Sequence, residues 1–417
     1  MNGFMKTTKL MLNKKILNDP VYGFIGVPRG LVFELVEHPY FQRLRRIKQL
    51  SLTHYVYPGA LHTRFHHALG ALHLMTEAIE VLRSKGTEVT EAEAEAVFIA
   101  ILLHDIGHGP YSHTLENTLI NVSHEHISAL FMEQLNEEFD GRLDLAIQIF
   151  KDDYKKKFLH QLVSSQLDMD RLDYLNRDSF FTGVHEGVIG YDRIIKMLAV
   201  NDGELVVEQK GIYSVEKFLI ARRLMYWQVY LHKTVLSAEQ MLIQALLRAK
   251  TLVRRGVELT MPDSLHFFIS RDWTAEDFAG NRKSMLEHFA LLDDHDIAFA
   301  IKYWMNSSDR LLSYLCEALV NRRLFRLQFS LKPFSESHLL MLRAKLSNWW
   351  GEASPGDLSH LLILGAESNS AYSKSKDEIK ILYKDGRVEP LSMNSEYNIQ
   401  AKLVKKYFLC HPKEPIR

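Results

Sequence analysis

Apolar residues recur at helical spacing along most of the chain, over about 31–323. Upstream of them, residues 18–23 predict a turn that leads into a short extended piece ending at Pro28. The first helical segment is interrupted near Pro39, and its exposed face is predicted to carry a mostly basic set: Gln42, Arg43, Arg45, Arg46 and Lys48. These side chains either form a solvated surface or, for Arg45 above all, bind phosphate.

Three later helices have signals of their own. Thr90 and Glu93 predict a capping box, which opens an apolar helix that runs to the adjacent pair His104 and Asp105. A second helix is predicted over 166–178, and a long one from about 214 to 249. Between them, residues 200–205 predict a small hairpin that turns through an Asp-Gly pair.

The pattern changes at Leu324 to alternating strands and shorter helices. The predicted elements are a strand over 324–331, a helix over 336–350, a strand over 361–364, a hairpin through 385–386, and a last helix and strand that end near Cys410, with loops over 354–356 and 368–375. The sequence therefore predicts a mostly α protein with a helical domain over 1–323 and a smaller C-terminal α+β module over 324–417.

The composition excludes several classes of function. Acidic and basic residues balance at 51 each, so no overall basic field indicates a nucleic-acid partner. Only two cysteines occur, Cys316 and Cys410, which fits a reducing compartment and excludes a disulfide framework or a thiolate metal site. No apolar run is long enough to span a bilayer, and the N-terminal residues have no cleavable signal, so we expect a cytoplasmic protein without a membrane partner.

One stretch, residues 103–110, predicts the chemistry of the protein. The apolar run that ends at Leu103 delivers His104 and Asp105 to the end of a buried helix, where two metal-ligand side chains are costly without a purpose. His67 and Asp170 are the best additional ligands, giving two nitrogens and two oxygens for a divalent metal. A metal held there would polarise a phosphoryl group.

Other polar residues could complete such a site. Arg64 shares a helix face with His67, and Asp170, Tyr174 and Asp178 fall on one helical stripe next to Arg171. Arg222, Tyr226 and Tyr230 form a similar stripe, while His108, His113 and His124 are candidates for proton transfer, with Glu116 orienting one of them. Each set could instead be an ordinary charged surface, so spacing alone leaves the question open.

Five motifs in order resemble the HD-domain metal phosphohydrolases, in particular their deoxynucleoside triphosphate (dNTP) triphosphohydrolase branch. They read NDPVYGFI, FQRLRRIKQL, YPGALHTRFHHALG, LLHDIGHGPYSH and LDMDRLDYLNRD, and the resemblance covers about residues 18–233. It implies an HD-domain helical bundle, commonly assembled into homodimers or homotetramers. It also implies water attack on the α-phosphorus of a dNTP substrate.

The resemblance also assigns roles to the candidate residues. The implied metal ligands are His67, His104, Asp105 and Asp170, and the ion could be manganese, iron, zinc, nickel or magnesium. The implied catalytic residues around the α-phosphate are His108, His113, Glu116 and His124, with His113 as proton donor to the leaving oxygen. The implied substrate-binding residues are Arg64, Arg171 and Arg222 for the phosphates, Gln49 and Asp178 for the sugar 3′-hydroxyl, and Tyr174 and Tyr230 against the sugar.

The chain departs from the vertebrate members of the branch at several positions. Glu116 stands where they have aspartate, and Arg171 replaces a lysine, which preserves charge but alters geometry. Their regulatory nucleotide site matches only in part, because Gln42 and Arg45 correspond but Glu37 takes an aspartate position. The alternatives are an HD phosphohydrolase for another nucleotide or phosphoester, and a nucleotide-sensing oligomer with little activity.

Overall fold

The computed structural model describes residues 14–116, 118–351, 355–369, 378–394 and 404–413. It begins with an antiparallel hairpin of β1 (Lys14–Asp19) and β2 (Gly23–Pro28), in which Lys14 pairs with Pro28. The Asp19 carboxylate accepts hydrogen bonds from the backbone N–H groups of Val21 and Tyr22, both at 2.9 Å, and so fixes the predicted turn.

Helices make up most of the remaining structure, which confirms the predicted fold class. They are α1 (Leu31–Glu37), α2 (Pro39–Gln42), α3 (Arg64–Ser84), α4 (Glu91–Leu103), α5 (His124–Glu138), α6 (Asp144–Phe150), α7 (Lys157–Val163), α8 (Met169–Thr182), α9 (Tyr191–Lys196), α10 (Ile212–Met225), α11 (Lys233–Arg254), α12 (Asp263–Ile269), α13 (Ala275–Gly280), α14 (Arg282–Leu291), α15 (Asp294–Trp304), α16 (Arg310–Val320), α17 (Glu336–Trp350), α18 (Pro355–Leu361) and α19 (Leu391–Asn394).

Helix α3 packs against both α4 and α8. All of the predicted metal ligands lie on these three helices or at their ends. The predicted capping box opens α4, where Thr90 accepts a hydrogen bond from the backbone N–H of Glu93 at 3.2 Å. Helix α3 passes so close to α8 that a Cβ on Gly70 would lie 2.0 Å from the Asp173 carboxylate. The two helices can approach this closely because Gly70 has no side chain.

The predicted basic face after Pro39 is wrong at one position. The helix breaks into α1, α2 and a 3-10 turn over Arg43–Arg46, and this turns Arg43 into the interior with no exposed surface. Its guanidinium donates to the backbone oxygens of Ile106 and His108 at 3.2 and 2.5 Å. Burial lowers the pKa of Arg43 to about 9, which is still high enough to keep the side chain charged.

The long helix predicted over 214–249 is in fact two helices. Helix α10 passes into a π-helical turn over Tyr226–Tyr230, and α11 begins only at Lys233. The His232 imidazole accepts a hydrogen bond from the Thr234 N–H at 3.2 Å and so caps the new helix. The turn rotates the Tyr230 side chain relative to a continuous helix, which matters for the site.

Besides the β1–β2 hairpin, the described residues form two small sheets. The hairpin predicted over 200–205 forms β3 (Leu198–Asn201) and β4 (Glu204–Glu208), and the hairpin through 385–386 forms β7 (Lys380–Leu382) and β8 (Val388–Pro390). Strand β7 pairs in parallel with β4, so these two hairpins share one sheet in the order β3-β4-β7-β8. The other sheet has the order β5-β9-β6, from β5 (Arg326–Ser330), β9 (Val404–His411) and β6 (Ile363–Asn369).

Beyond Leu324 the prediction is correct for some elements and wrong for others. Helix α17 has the predicted bounds, whereas the strand predicted over 361–364 begins at Ile363 because Leu361 ends α18. The loop predicted over 354–356 is wrong at 355 and 356, which begin α18, and residue 354 lies outside the described residues. The loop predicted over 368–375 is wrong at 368 and 369, which end β6, and residues 370–375 lie outside the described residues. The division of the chain at 323/324 stays a prediction, since β7 and β8 complete a sheet that begins before it.

Among the described residues, no helix combines the length and the apolar character needed to cross a bilayer.

Candidate metal and active site

Four polar side chains converge where α3, α4 and α8 meet. His67 Nε2 lies 3.1 Å from Asp170 Oδ1, 3.4 Å from His104 Nε2 and 3.6 Å from Asp105 Oδ2. His104 Nε2 is 3.5 Å from both Asp105 Oδ1 and Asp170 Oδ1. These are the four ligands predicted from the sequence.

The spacing of these atoms fits a divalent metal. Ligands bonded at about 2.1 Å in tetrahedral or octahedral geometry lie roughly 3.0–3.4 Å from one another, close to the separations measured here. Two imidazole nitrogens with two carboxylates suit zinc, iron, manganese or nickel. The residues present therefore fit the metal that an HD site requires, although they do not select one element.

Outer hydrogen bonds turn both imidazoles toward the centre. His67 Nδ1 lies 2.7 Å from Asp173 Oδ2, and His104 Nδ1 lies 2.6 Å from the backbone oxygen of Ile101. With Nδ1 donating in each case, Nε2 is left to face the cluster. Burial opposes the charge on His67, but its hydrogen bonds to Asp170 and Asp173 raise its pKa, so these carboxylates favour a positive charge at the point where a metal would replace the Nε2 proton.

Asp105 is also held by a cation. Arg64 donates through Nη1 to Asp105 Oδ2, and its Nε donates to Ser112 Oγ at 2.8 Å. Burial would raise the pKa of Asp105, but Arg64 and the neighbouring histidines hold it well below its usual range. The predicted phosphate ligand Arg64 therefore lies directly against a predicted metal ligand.

Three histidines form a second cluster next to Asp105. His108 stacks on His124 with ring centroids 3.9 Å apart, and His113 meets His108 edge-on at 4.7 Å. His108 Nε2 lies 3.3 Å from Asp105 Oδ1, which joins this cluster to the first. Burial and the charge of Arg64 lower the pKa of His108 well below its usual value, so it is neutral near pH 7.

Glu116 bridges the other two histidines of this cluster. Its Oε2 lies 3.1 Å from His113 Nδ1, and its Oε1 lies 3.0 Å from His124 Nδ1. Burial would raise the pKa of Glu116, but these two hydrogen bonds lower it well below its usual range. The side chain of His113 is 67% exposed, so it lies at the open side of the cluster.

Close packing fixes the turn that carries these histidines. A Cβ on Gly107 would lie 2.2 Å from the His124 oxygen, so only glycine allows α5 to approach this turn. Ser128 on α5 accepts the Gly107 N–H at 2.9 Å, and Arg43 holds the neighbouring carbonyl groups. Tyr111, with φ of 53°, then turns the chain toward His113.

The predicted sugar-binding residues form a third group. Asp178 Oδ1 lies 2.7 Å from His62 Nε2, and Tyr230 donates to Asp178 Oδ2 at 2.8 Å. Tyr174 and Tyr230 lie edge to face with ring centroids 6.3 Å apart, and burial raises the pKa of Tyr174 to about 12. The Gln49 side-chain oxygen is buried without a hydrogen-bond partner, as expected for an atom that binds a ligand.

The other two predicted phosphate ligands have different surroundings. Arg171 donates to Asp168, whose carboxylate also caps α8 by accepting the Arg171 backbone N–H at 2.7 Å. Arg222 is half-buried near Tyr174 and Tyr226, and no acidic residue in the described part of the chain forms an ion pair with it. Arg222 is therefore the freer of the two cations.

Comparison with known proteins agrees with this geometry. The HD domain family matches residues 64–178, and the HD associated region matches residues 189–260. The crystal structure of a phosphohydrolase from Bacteroides thetaiotaomicron is 52% identical with a TM-score of 0.91, over 95% of this chain and 99% of that one. This chain belongs to the HD-domain phosphohydrolases.

Two relatives differ in how much they share with this HD-domain phosphohydrolase. The uncharacterized protein YwfO of Bacillus subtilis is 31% identical over 97% of this chain and 93% of its own length. Human deoxynucleoside triphosphate triphosphohydrolase SAMHD1 is 30% identical over 56% of this chain and 44% of its own length. The similarity thus covers less than half of the human enzyme.

Several residues that support the HD site were missed in the sequence. Asp173 orients His67 and is itself held by Arg177, whose Nε donates to Asp173 Oδ2 at 3.0 Å. Arg177 Nη1 in turn donates to Asp19 at 2.8 Å. The NDPVYG turn is therefore linked to the predicted metal ligand His67 through two buried ion pairs.

A signal for these contacts was present in the sequence. Asp173 and Arg177 are four residues apart on α8, on the face adjacent to Asp170 and Tyr174. His62 is buried against Asp178 and stacks on Phe181, with ring centroids 4.5 Å apart. Only the fold shows that Asp19 and His62 support the site, because their partners Arg177 and Asp178 lie more than a hundred residues later in the chain.

Proposed function

We propose that this HD-domain phosphohydrolase cleaves dNTPs at the α-phosphate and releases a deoxynucleoside and inorganic triphosphate. The observation that carries the proposal is the convergence of His67, His104 and Asp170, whose ligand atoms lie 3.1–3.5 Å apart. Asp105 adjoins them, with one oxygen 3.6 Å from His67 Nε2 and the other 3.5 Å from His104 Nε2. The adjoining histidine cluster and the Asp178–Tyr230 pair supply groups for proton transfer and for a sugar hydroxyl.

The four ligands would hold a divalent metal, which when bound acts as a Lewis acid on a phosphoryl oxygen. Next to it, Arg64 offers its remaining N–H groups to the α-phosphate, since its Nε and Nη1 already bind Ser112 and Asp105. Arg171 and Arg222 neutralise the outer phosphates. The proposal thus assigns three guanidinium groups to the polyphosphate.

His113 is the proposed proton donor to the leaving 5′-oxygen. Its Nδ1 is engaged by Glu116, which leaves Nε2 as the nitrogen that can give a proton to substrate. The neutral His108 and the Glu116-bound His124 stabilise charge that develops on the α-phosphoryl oxygens. Proton transfer and charge stabilisation are therefore assigned to different histidines.

The sugar is the proposed basis for choosing dNTPs. Gln49 and Asp178 would bind the 3′-hydroxyl, and the rings of Tyr174 and Tyr230 would pack on the sugar where a 2′-hydroxyl would clash. Tyr230 is held by its hydrogen bond to Asp178, so the tyrosine ring cannot swing away easily. A ribonucleotide would have to break that bond to enter.

Product analysis tests this assignment. The protein, supplied in turn with manganese, iron, zinc, nickel and magnesium, is incubated with each dNTP and with ATP, and products are separated by ion-exchange chromatography. Release of triphosphate from dNTPs and not from ATP supports the proposal. Orthophosphate release would instead indicate an HD phosphohydrolase for another phosphoester, and binding without turnover would indicate a nucleotide sensor.

Two variants separate the site from contaminating activity. Asp105→Ala removes a ligand and is expected to lower turnover by about a hundredfold or more, because a metal site rarely tolerates loss of a first ligand. Asp192→Ala changes an exposed carboxylate on α9 and should leave turnover unchanged. Light scattering on the same samples tests the proposed homodimer or homotetramer.

A further inference from the structure

A second cavity lies behind the loop that carries the active-site histidines. It has a volume of about 250 Å³ and lies between the loop residues 118–121, the last turns of α11 and the Asp272–Trp273 pair. Its walls include hydroxyl and amide side chains as well as apolar ones. None of the predicted metal ligands or substrate-binding residues lines it.

Two cations dominate this cavity. Lys250 and Arg254 stand one turn apart on α11, and each lies 2.8 Å from the same oxygen of Asp272. Lys250 is nearly buried, whereas the Asp272 side chain is 71% exposed. Two cations therefore share one carboxylate at the rim of the cavity, so these three residues carry a net positive charge.

Both cations have hydrogen-bond donors to spare. Lys250 Nζ uses two of its three donors, on Asp272 and on the Thr118 oxygen at 3.3 Å. Arg254 makes its ion pair to Asp272 through Nη2, and most of its five N–H groups are left over. Such a set of donors matches the several oxygens of a phosphate group.

The aromatic residue in the wall is not a stacking surface. One face of Trp273 is covered by Phe267, with centroids 4.4 Å apart, and Arg271 lies over the ring at 3.8 Å from its centroid. A nucleobase would therefore find no free aromatic face on Trp273. The chemistry of the cavity favours a phosphate group with at most a small polar remainder.

We propose that this cavity is an effector site for a small phosphate-bearing anion, either free phosphate or a sugar phosphate. Its link to the active site is structural. Leu119 and Ile120 line this cavity and also the cavity that contains His108, Glu116 and His124. An anion that draws Lys250 away from the Thr118 oxygen would shift the loop that positions Glu116.

Calorimetric titration of the metal-loaded full chain tests the site, with inorganic phosphate and ribose 5-phosphate as the two probes. We expect a dissociation constant on the order of 0.1–1 mM for at least one probe. Arg254→Gln, which changes a partly exposed side chain, should weaken that binding about tenfold or more. Arg255→Gln, at the next position and outside the cavity, should not.

On the proposed function phosphate would also bind at the active site, so only the binding that Arg254→Gln removes is attributed to this cavity. Binding of both probes would show that the phosphate group suffices, and binding of ribose 5-phosphate alone would show that the sugar contributes. Lys250→Gln provides a second test. Binding that is absent, or that survives both substitutions, would overturn the proposal.

The effect on the active site is measured as turnover with and without the bound probe, and it rests on the proposed function. A probe-dependent change in turnover that is present in the natural chain and in Arg255→Gln but absent in Arg254→Gln supports the effector role. An equal response in all three proteins would contradict the effector role. The calorimetric result does not depend on turnover, so failure of the two ideas can be told apart.

Discussion

At the scale of single residues, the site depends on buried charges that hold one another. His67 Nε2 faces the proposed metal position because Asp173 binds its Nδ1. Asp173 stays charged because Arg177 outweighs the effect of burial and lowers the pKa of the carboxyl. Asp19 binds the other end of the Arg177 guanidinium, so His67, Asp173, Arg177 and Asp19 form one row of buried contacts. A defect at any of these residues should therefore reach the metal.

Asp173→Asn tests this row. The amide keeps the size of the side chain but removes the charge that supports His67, so we expect metal affinity and turnover to fall roughly 10–100-fold. Metal content after dialysis is measured by mass spectrometry, beside the exposed control Asp192→Asn. Full metal occupancy in a folded Asp173→Asn protein would show that Asp173 does not orient the ligand.

A second buried carboxylate lies beneath the histidine turn. Glu239 on α11 accepts a hydrogen bond from the Thr114 hydroxyl at 3.0 Å, and Thr114 also meets Ser51 Oγ at 2.8 Å. Burial raises the pKa of Glu239 from 4.5 to about 7, with a smaller contribution from the charge of Glu367. Glu239 therefore binds its proton more tightly in the folded protein than in the unfolded chain.

The sign of this shift sets the effect on stability. The stabilisation that the Glu239 proton contributes is complete below pH 4.5 and is lost as the pH rises through 7. Glu239→Gln should therefore raise the unfolding midpoint relative to the natural chain at pH 8 and change it little at pH 4.5. Thermal unfolding at both pH values checks this, and an equal effect at both, or the same effect in the exposed control Glu258→Gln, would contradict it.

At the scale of elements, the approach of α3 to α8 brings His67 and Asp170 together. At Gly70 any side chain on α3 would meet the Asp173 and Arg177 side chains of α8. Gly70→Ala should destabilise the protein by about 1–3 kcal/mol, because the buried ion pair must shift to make room. Urea denaturation measures the free energy of unfolding.

A matched glycine serves as control for that substitution. Gly280 ends α13, and a Cβ there would meet no atom within 4 Å, so Gly280→Ala should leave stability unchanged or slightly higher. If the two substitutions had the same effect, the close contact at Gly70 would not be what positions α8.

The elements that could be predicted from sequence are those with local signals. The capping box at Thr90 and Glu93 and the helix over 336–350 have strong local preferences, and the structure confirms both. The break at Tyr226–Tyr230 could not be predicted, because its residues fit a helix as well as a π-turn. Arg43 was placed on the surface because a long charged side chain is rarely buried, and only tertiary packing provides its carbonyl partners.

The candidate site was predictable to a similar extent. The His-Asp pair stood out because polar ligands end an apolar helix, and the structure brings it within 3.6 Å of the expected partners. The roles assigned to these residues stay predictions. The supporting residues Asp19 and His62 carry no local signal, since their importance depends on contacts across more than a hundred residues of sequence.

At the scale of the whole molecule, one continuous set of buried apolar side chains crosses the predicted boundary at 323/324. Phe325 and Cys410 belong to it, and Ser237 on α11 donates to the Phe325 oxygen at 2.8 Å. Ile381 on β7 pairs with Val207 on β4. The C-terminal residues thus complete the core of the helical part.

A chain that ends at Arg323 should therefore fail to fold. It would expose the apolar surface that Phe325, Ile381 and Cys410 cover, and it would leave β4 without its neighbour β7. We expect one cooperative thermal transition for the full chain and none for the shortened one. A shortened chain that unfolds cooperatively and retains turnover would support the predicted division into two domains.

The central claim is that the site directs water to the α-phosphorus of a dNTP, and isotope transfer tests it most directly. A dNTP is hydrolysed in water enriched in oxygen-18, and the products are analysed by mass spectrometry. We expect inorganic triphosphate that carries one heavy oxygen and a deoxynucleoside that carries none. A heavy oxygen in a deoxynucleoside monophosphate, or in orthophosphate, would contradict the claim.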